Sequence, residues 1–169
     1  MFDPALLTKA ETLLASLRRR RLKLVTAESC TGGLIAGLLT EIAGSSDVVE
    51  RGFVVYSNEA KTALLGVSES VLATHGAVSE ATARAMAEGA LKNSFADIAV
   101  SVTGIAGPGG GSPEKPVGLV HLGYASHHAP TAHRRFVFAN ADRHAVRIKS
   151  VAAALSLIED QLGGETRLA

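Results

Sequence analysis

Leu6, Leu7, Ala10, Leu13, Leu14 and Leu17 recur at helical spacing behind Asp3-Pro4, a capping side chain followed by proline. That pattern predicts an amphipathic opening helix. The helix ends in Arg18-Arg19-Arg20-Arg21. Such a run could bind a phosphate, but the simpler reading is a solvated end compensating the helix dipole. Leu22–Ala27 then reads as a short buried strand, and an apolar helix is expected from Thr31 to Ile42. After the turn Gly44-Ser45-Ser46-Asp47 comes a second strand, Phe53–Ser57. It runs directly into a short helix, Asn58–Leu65, closed by Gly66. Ser68 is expected to cap another short helix through Ala73. Val78-Ser79-Glu80 opens a long amphipathic helix to Phe95, with Ala83, Met86, Ala87, Ala90 and Leu91 inward. Ile98–Thr103 is β-branched and nearly all apolar, as a central strand is. The irregular segment Gly104–Pro116 precedes a hairpin of Val117–Ser126 and His133–Phe138. Asp142 caps a last helix through Leu162, and Gly163-Gly164 leads into a frayed tail. Early alternation of strands with helices, then a hairpin and a helix, predicts a three-layer α/β domain with a mixed β-sheet.

At 169 residues the chain is expected to form one domain over residues 1–169. Its hydrophobic fraction of 47% is enough to cover both faces of a sheet. A net charge of +1 and 4% aromatic residues argue against a nucleic-acid partner, which calls for a basic surface and stacking rings. A single cysteine excludes an intramolecular disulfide framework and fits a reducing compartment. The N-terminus lacks a basic leader followed by an apolar core, and no apolar run is long enough to span a bilayer. A cytoplasmic protein without a membrane partner is therefore expected.

Candidate chemistry gathers where strands end, because ligands of open α/β sheets bind outside the carboxyl ends of strands. The first end carries Thr26-Ala27-Glu28-Ser29-Cys30-Thr31-Gly32-Gly33, the second Tyr56, Ser57, Asn58 and Lys61, the third Ser101, Thr103 and the glycine loop. A strand–turn–helix junction collects free N–H groups, and a hydroxyl held there can be a nucleophile beside an oxyanion hole. For Ser29 and Thr31 taken alone, the simpler reading is a helix cap. Serine, tyrosine and lysine at one sheet edge can supply nucleophile, proton relay and base. Lysine acts as a base only if burial or positive neighbours lower its pKa from about 10.4 toward neutrality. Otherwise Lys61 is a solvated helix residue, and Tyr56 a strand residue with its ring in the core.

The glycine loop lacks the Gly-Lys-Ser/Thr closure of a phosphate-binding P-loop, and a strand rather than a helix follows it. An anion nest, a closing lid and a flexible connection all remain open readings. Cys30 is a rival nucleophile beside a helix N-terminus, though a small buried residue is the simpler reading. His127, His128 and His133 lie close together, but without a ligand-spaced Cys or carboxylate they read as a solvated turn.

Taken together, Ala27–Gly33, Gly52–Lys61, His75–Ser79, Thr103–Pro108 and Lys115–Gly118 resemble the CinA C-terminal domain family from Leu6 to Leu162. Its stand-alone members include nicotinamide-nucleotide amidohydrolases. The resemblance implies a three-layer α/β/α fold and hydrolysis of nicotinamide mononucleotide to nicotinate mononucleotide and ammonia. It implies Ser29 as nucleophile assisted by Lys61 and Tyr56, with no metal or other cofactor. The implied substrate-binding set is Glu28, Cys30, Thr31, Gly32, Gly33, Asn58, Thr103, Gly104 and Arg143. Backbone N–H groups near Gly32 and Gly33 would hold the oxyanion. The expected partner is a small nucleotide, with the chain in a homo-oligomer, a dimer or larger. Many relatives carry a larger N-terminal domain, for which this length leaves no room, and Ala141 stands where relatives often have Gly before Asp-Arg. A reading of another class, a non-catalytic nucleotide-binding module that senses or recruits, would have no need of a base.

Overall fold

A computed structural model describes residues 2–165. Helix α1 (Pro4–Arg20) starts as its sequence dictates, Asp3 accepting from the Leu6 N–H at 2.8 Å. It buries Leu6, Ala10, Leu13, Leu14 and Leu17 of the predicted stripe, with Leu7 half-buried at its margin. The arginine end is tied down rather than only solvated. Arg18 pairs with Asp47 and the Gly44 carbonyl, and Arg20 donates to the Leu162 carbonyl.

Five strands follow: β1 (Leu24–Glu28), β2 (Val49–Val54), β3 (Ile98–Gly104), β4 (Leu119–Ser126) and β5 (Ala132–Val137). They form one mixed sheet in the order β2-β1-β3-β4-β5. β1 runs parallel to both neighbours, whereas β4 is antiparallel to β3 and to β5. The remaining helices are α2 (Leu34–Glu41), α3 (Asn58–Leu65), α4 (Glu69–His75), α5 (Glu80–Lys92) and α6 (Arg143–Glu165).

Side chains of a strand alternate between faces, and the core divides accordingly. Leu24, Ile98, Val100, Val102, Val120, Leu122 and Tyr124 pack with α1, α2 and α6. Val25, Ala27, Ala99 and Ala125 pack with Leu65, Met86, Ala87 and Ala90 on the other side. This is the expected three-layer α/β/α arrangement. The second face is small-sided because α5 lies close upon it. A Cβ at Gly123 would stand 2.5 Å from the Ala83 carbonyl oxygen, which also accepts from Ser101 Oγ at 2.6 Å. Ser101 is thus a packing residue, not part of the site.

Besides α5 ending at Lys92 rather than Phe95 and β4 starting at Leu119 rather than Val117, three elements differ from expectation for a local reason. α2 starts at Leu34 rather than Thr31, because Gly32 and Gly33 adopt positive φ (60° and 95°) and form a turn. β2 covers residues 49–54 rather than 53–57. Its Glu50-Arg51-Gly52 run lies on an exposed sheet edge, where polar side chains cost nothing. Helix α6 continues through Gly163 and Gly164 to Glu165, past the expected stop at Leu162. The tail from 166 on lies outside the described residues. Among the described residues no helix is long and apolar enough to cross a membrane.

Candidate active site

β1, β2 and β3 run in the same direction, so their carboxyl ends share one edge of the sheet. The chain leaves that edge into α2 on one face and into α3 on the other, which leaves a crevice between the helical layers. A cavity of about 280 Å³ opens there, bordered by Ser29, Tyr56, Lys61, Thr103, Arg143 and the loop from Gly104 to Gly110.

Ser29 is the first residue after β1 and is largely buried. Its N–H donates to the Val102 carbonyl at 3.0 Å, which fixes the backbone beneath the side chain. Lys61 stands on the second turn of α3, a helix capped by Ser57. The side chain runs back into the protein and is only 1% exposed. Nζ reaches Ser29 Oγ at 3.2 Å and the carbonyls of Val55, Tyr56 and Ser57 at 3.1, 3.3 and 3.4 Å. Among the described residues no carboxylate joins this group of acceptors. Burial, the largest influence, holds the Lys61 ammonium below its ordinary pKa, against weaker opposing effects of Cys30 and Glu59. The solvated-helix reading of Lys61 is therefore overturned.

Tyr56 is overturned in the opposite sense. Its ring is 62% exposed rather than in the core. The hydroxyl accepts from Arg143 Nη2 at 3.1 Å, and Lys61 meets Tyr56 only through its main-chain carbonyl. Arg143 also donates to the Gly107 carbonyl at 2.8 Å, so it joins the glycine loop to the mouth of the cavity. That loop is held elsewhere by Lys115, whose Nζ donates to the His75 carbonyl at 2.6 Å.

Thr103 and Gly104 both border the cavity. Thr103 Oγ1 is committed to the Ala77 carbonyl at 2.7 Å. Gly104 admits no side chain, since a Cβ would stand 2.8 Å from the Leu119 carbonyl and 3.2 Å from Cys30 Sγ. Cys30 itself lies against the cavity, but burial pushes its thiol up to about 12, far from a thiolate nucleophile.

The rest of the expected binding set sits elsewhere. Glu28 is fully buried, and its carboxylate accepts from Thr31 Oγ1, Thr26 Oγ1 and the N–H groups of Gly33, Ile35 and Ala36. Thr31 is buried with its hydroxyl given to that carboxylate. Gly32 donates its N–H to the Ser29 carbonyl and Gly33 to Glu28, so neither is free to hold an oxyanion. None of these four residues borders the cavity. Asn58 lines a separate depression between α3 and α4 with Glu59, Thr62 and Leu72.

Sequence reasoning missed three contributors. Ala77 and Val78 border the cavity from the loop before α5. Arg147 donates through Nε to the Cys30 carbonyl at 3.2 Å and through Nη2 to the Thr31 carbonyl at 2.9 Å. Its one sequence signal is the i,i+4 spacing from Arg143, which puts both arginines on one face of α6. His127 and His128 lie exposed in the hairpin turn as expected, whereas His133 does not. His133 lies in β5, with Nε2 2.9 Å from His121 Nδ1 and Nδ1 3.4 Å from Glu80.

The chain is similar to known proteins in both sequence and fold. The CinA C-terminal domain model matches residues 7–162. Nicotinamide-nucleotide amidohydrolase PncC of Escherichia coli K12 is 50% identical over 161 residues, covering 95% of this chain and 97% of PncC. A longer relative, a putative competence-damage inducible protein from Caldicellulosiruptor bescii, is 63% identical over 116 residues, which cover 69% of this chain and 28% of that protein. Among solved structures, the competence/damage inducible protein CihA from Agrobacterium tumefaciens superposes with a TM-score of 0.93. It is 49% identical, with 95% of this chain and 97% of that one covered. The chain belongs to the CinA C-terminal domain family.

Proposed function

We propose that the chain hydrolyses the carboxamide of nicotinamide mononucleotide, releasing ammonia and nicotinate mononucleotide. The observation that carries the reading is the 3.2 Å contact between buried Lys61 Nζ and Ser29 Oγ. The similarity to PncC over nearly both whole chains supports the substrate.

An unactivated amide needs a strong nucleophile, donors for the tetrahedral oxyanion and an acid for the departing nitrogen. Neutral Lys61 takes the Ser29 proton as Oγ bonds to the amide carbon. The resulting ammonium then gives that proton to the amide nitrogen, and ammonia leaves as the C–N bond breaks. Water attacks the nicotinoyl ester, with Lys61 accepting its proton and returning one to Ser29. Because the Gly32 and Gly33 N–H groups are occupied, oxyanion donors come from the main chain that borders the cavity, Cys30 and the glycine loop. Arg143, at the mouth, faces the nucleotide phosphate. Tyr56 shapes that mouth rather than serving as the immediate base.

The direct test is ammonia release from nicotinamide mononucleotide by the parent protein and by Ser29→Ala. Parent turnover with none from a folded Ser29→Ala supports the assignment. Binding of the nucleotide by the parent without ammonia would make the chain a binding module instead.

A further inference from the structure

We propose that Glu28 is a positioning residue for Ser29, which makes no contact with substrate and sets the nucleophile's place relative to Lys61. The inference rests on the reading of Ser29 and Lys61 just given.

Ser29 is followed by a turn with little stiffness of its own, since Gly32 and Gly33 are the residues with the widest backbone freedom. Glu28 supplies what the turn lacks. Its Oε2 accepts from Thr31 Oγ1 at 2.6 Å and from the Gly33 and Ile35 N–H groups, both at 3.0 Å. Oε1 accepts from the Ala36 N–H at 2.9 Å. One side chain thus ties the end of β1 to the start of α2 across the nucleophile. The Glu28 main chain is equally fixed, its carbonyl accepting from the Val55 N–H at 2.8 Å. Arg147 grips the other side of the turn through the Cys30 and Thr31 carbonyls.

The carboxylate also changes what the start of α2 can do. Free N–H groups and the helix dipole would otherwise make it an anion site. Here a protein carboxylate already fills that role, so substrate negative charge is directed away from α2 and toward the Arg143 side of the cavity.

Glu28→Gln keeps the shape but turns an amide NH2 toward N–H donors, whereas Glu28→Asp keeps the charge and shortens the reach. With folding checked by circular dichroism, Glu28→Gln should lower kcat about tenfold to a hundredfold, with KM within about threefold of the parent. Glu28→Asp should recover part of that loss. A purely structural role would lower Tm and leave the kcat of folded protein within about twofold, which would overturn the proposal. A loss falling on KM alone would also overturn it, by making Glu28 a substrate contact. Should Glu28→Gln not fold, Thr31→Val removes a single donor from the carboxylate and must show the same kcat-weighted loss. If the parent releases no ammonia, the function reading fails separately. Glu28 is then judged by labelling of Ser29 with a fluorophosphonate, where Oγ bonds to phosphorus as fluoride leaves and Lys61 takes the proton. Slower labelling in Glu28→Gln supports positioning. Equal labelling, or no labelling of the parent, overturns it.

Discussion

Arg143 Nη2 donates to Tyr56 Oη across the mouth of the cavity at 3.1 Å, while Nη1 of the same side chain holds the Gly107 carbonyl. A guanidinium shared between a phenol and a carbonyl is a replaceable arrangement, because an incoming phosphate offers it a stronger, charge-assisted partner. Tyr56→Phe removes only the phenolic acceptor. It should reduce turnover less than Lys61→Ala does, and steady-state kinetics of both variants checks this. Equal loss would restore the tyrosine as proton relay.

Lys61 accepts a proton in the proposed reaction, so only its neutral form is active. Burial lowers its pKa, and activity must fall as pH drops through that lowered value and the ammonium forms. The acid limb of kcat/KM should therefore lie below the ordinary lysine value of about 10.4. Lys61→Arg keeps the charge but cannot release a proton at accessible pH. It should be nearly as inactive as Lys61→Ala, and near-parent turnover would exclude the general-base role.

Cys30 should be a bystander in the chemistry. With its thiol at about 12, almost none is thiolate near neutrality. Cys30→Ala should keep most activity, and iodoacetamide at pH 8 should leave the folded protein unmodified by mass. Rapid alkylation with loss of activity would contradict this.

His121, opposite Thr103 in the β3–β4 ladder but outside the cavity lining, gives the fold a pH-dependent element. Burial first, then His133, Arg135 and Lys115, lower its pKa from 6.5 to about 4, with Glu80 opposing. Between those values the unfolded chain binds a proton that the folded imidazole refuses. Stability should accordingly decline as pH falls through that window. The fall of Tm between pH 6.5 and 4 should be shallower for His121→Gln than for the parent.

Much of this was readable in the sequence wherever one residue's chemistry decides the local outcome. Asp3-Pro4 starts α1, Ser57 and Gly66 bound α3, and the apolar run from Ile98 makes the central strand. The site was readable as a set of strand ends carrying Ser29, Tyr56, Lys61 and Thr103. What escaped depends on contacts between distant segments. Whether Lys61 points outward or inward is decided by carbonyls at 55–57 and a hydroxyl at 29. Glu28 reads as exposed chemistry until α2 folds back and fills its carboxylate with N–H groups. β2 was misplaced because its edge position lets Glu50 and Arg51 pair with each other instead of forming an apolar run. Gly163-Gly164 reads as a terminator, yet α6 passes through both.

The parallel pairing of β1 with β2 ends at Glu28 opposite Val54, one residue short of Ser29 and seven short of Lys61. The nucleophile thus directly follows one strand, while the base stands on α3 beyond the neighbouring strand and reaches back to Ser29 through its side chain. Lys61 Nζ also holds the carbonyls of Val55, Tyr56 and Ser57, so the base is fastened to the segment that joins it to β2. Heat inactivation and loss of the fold should therefore be one event, tracing a single curve.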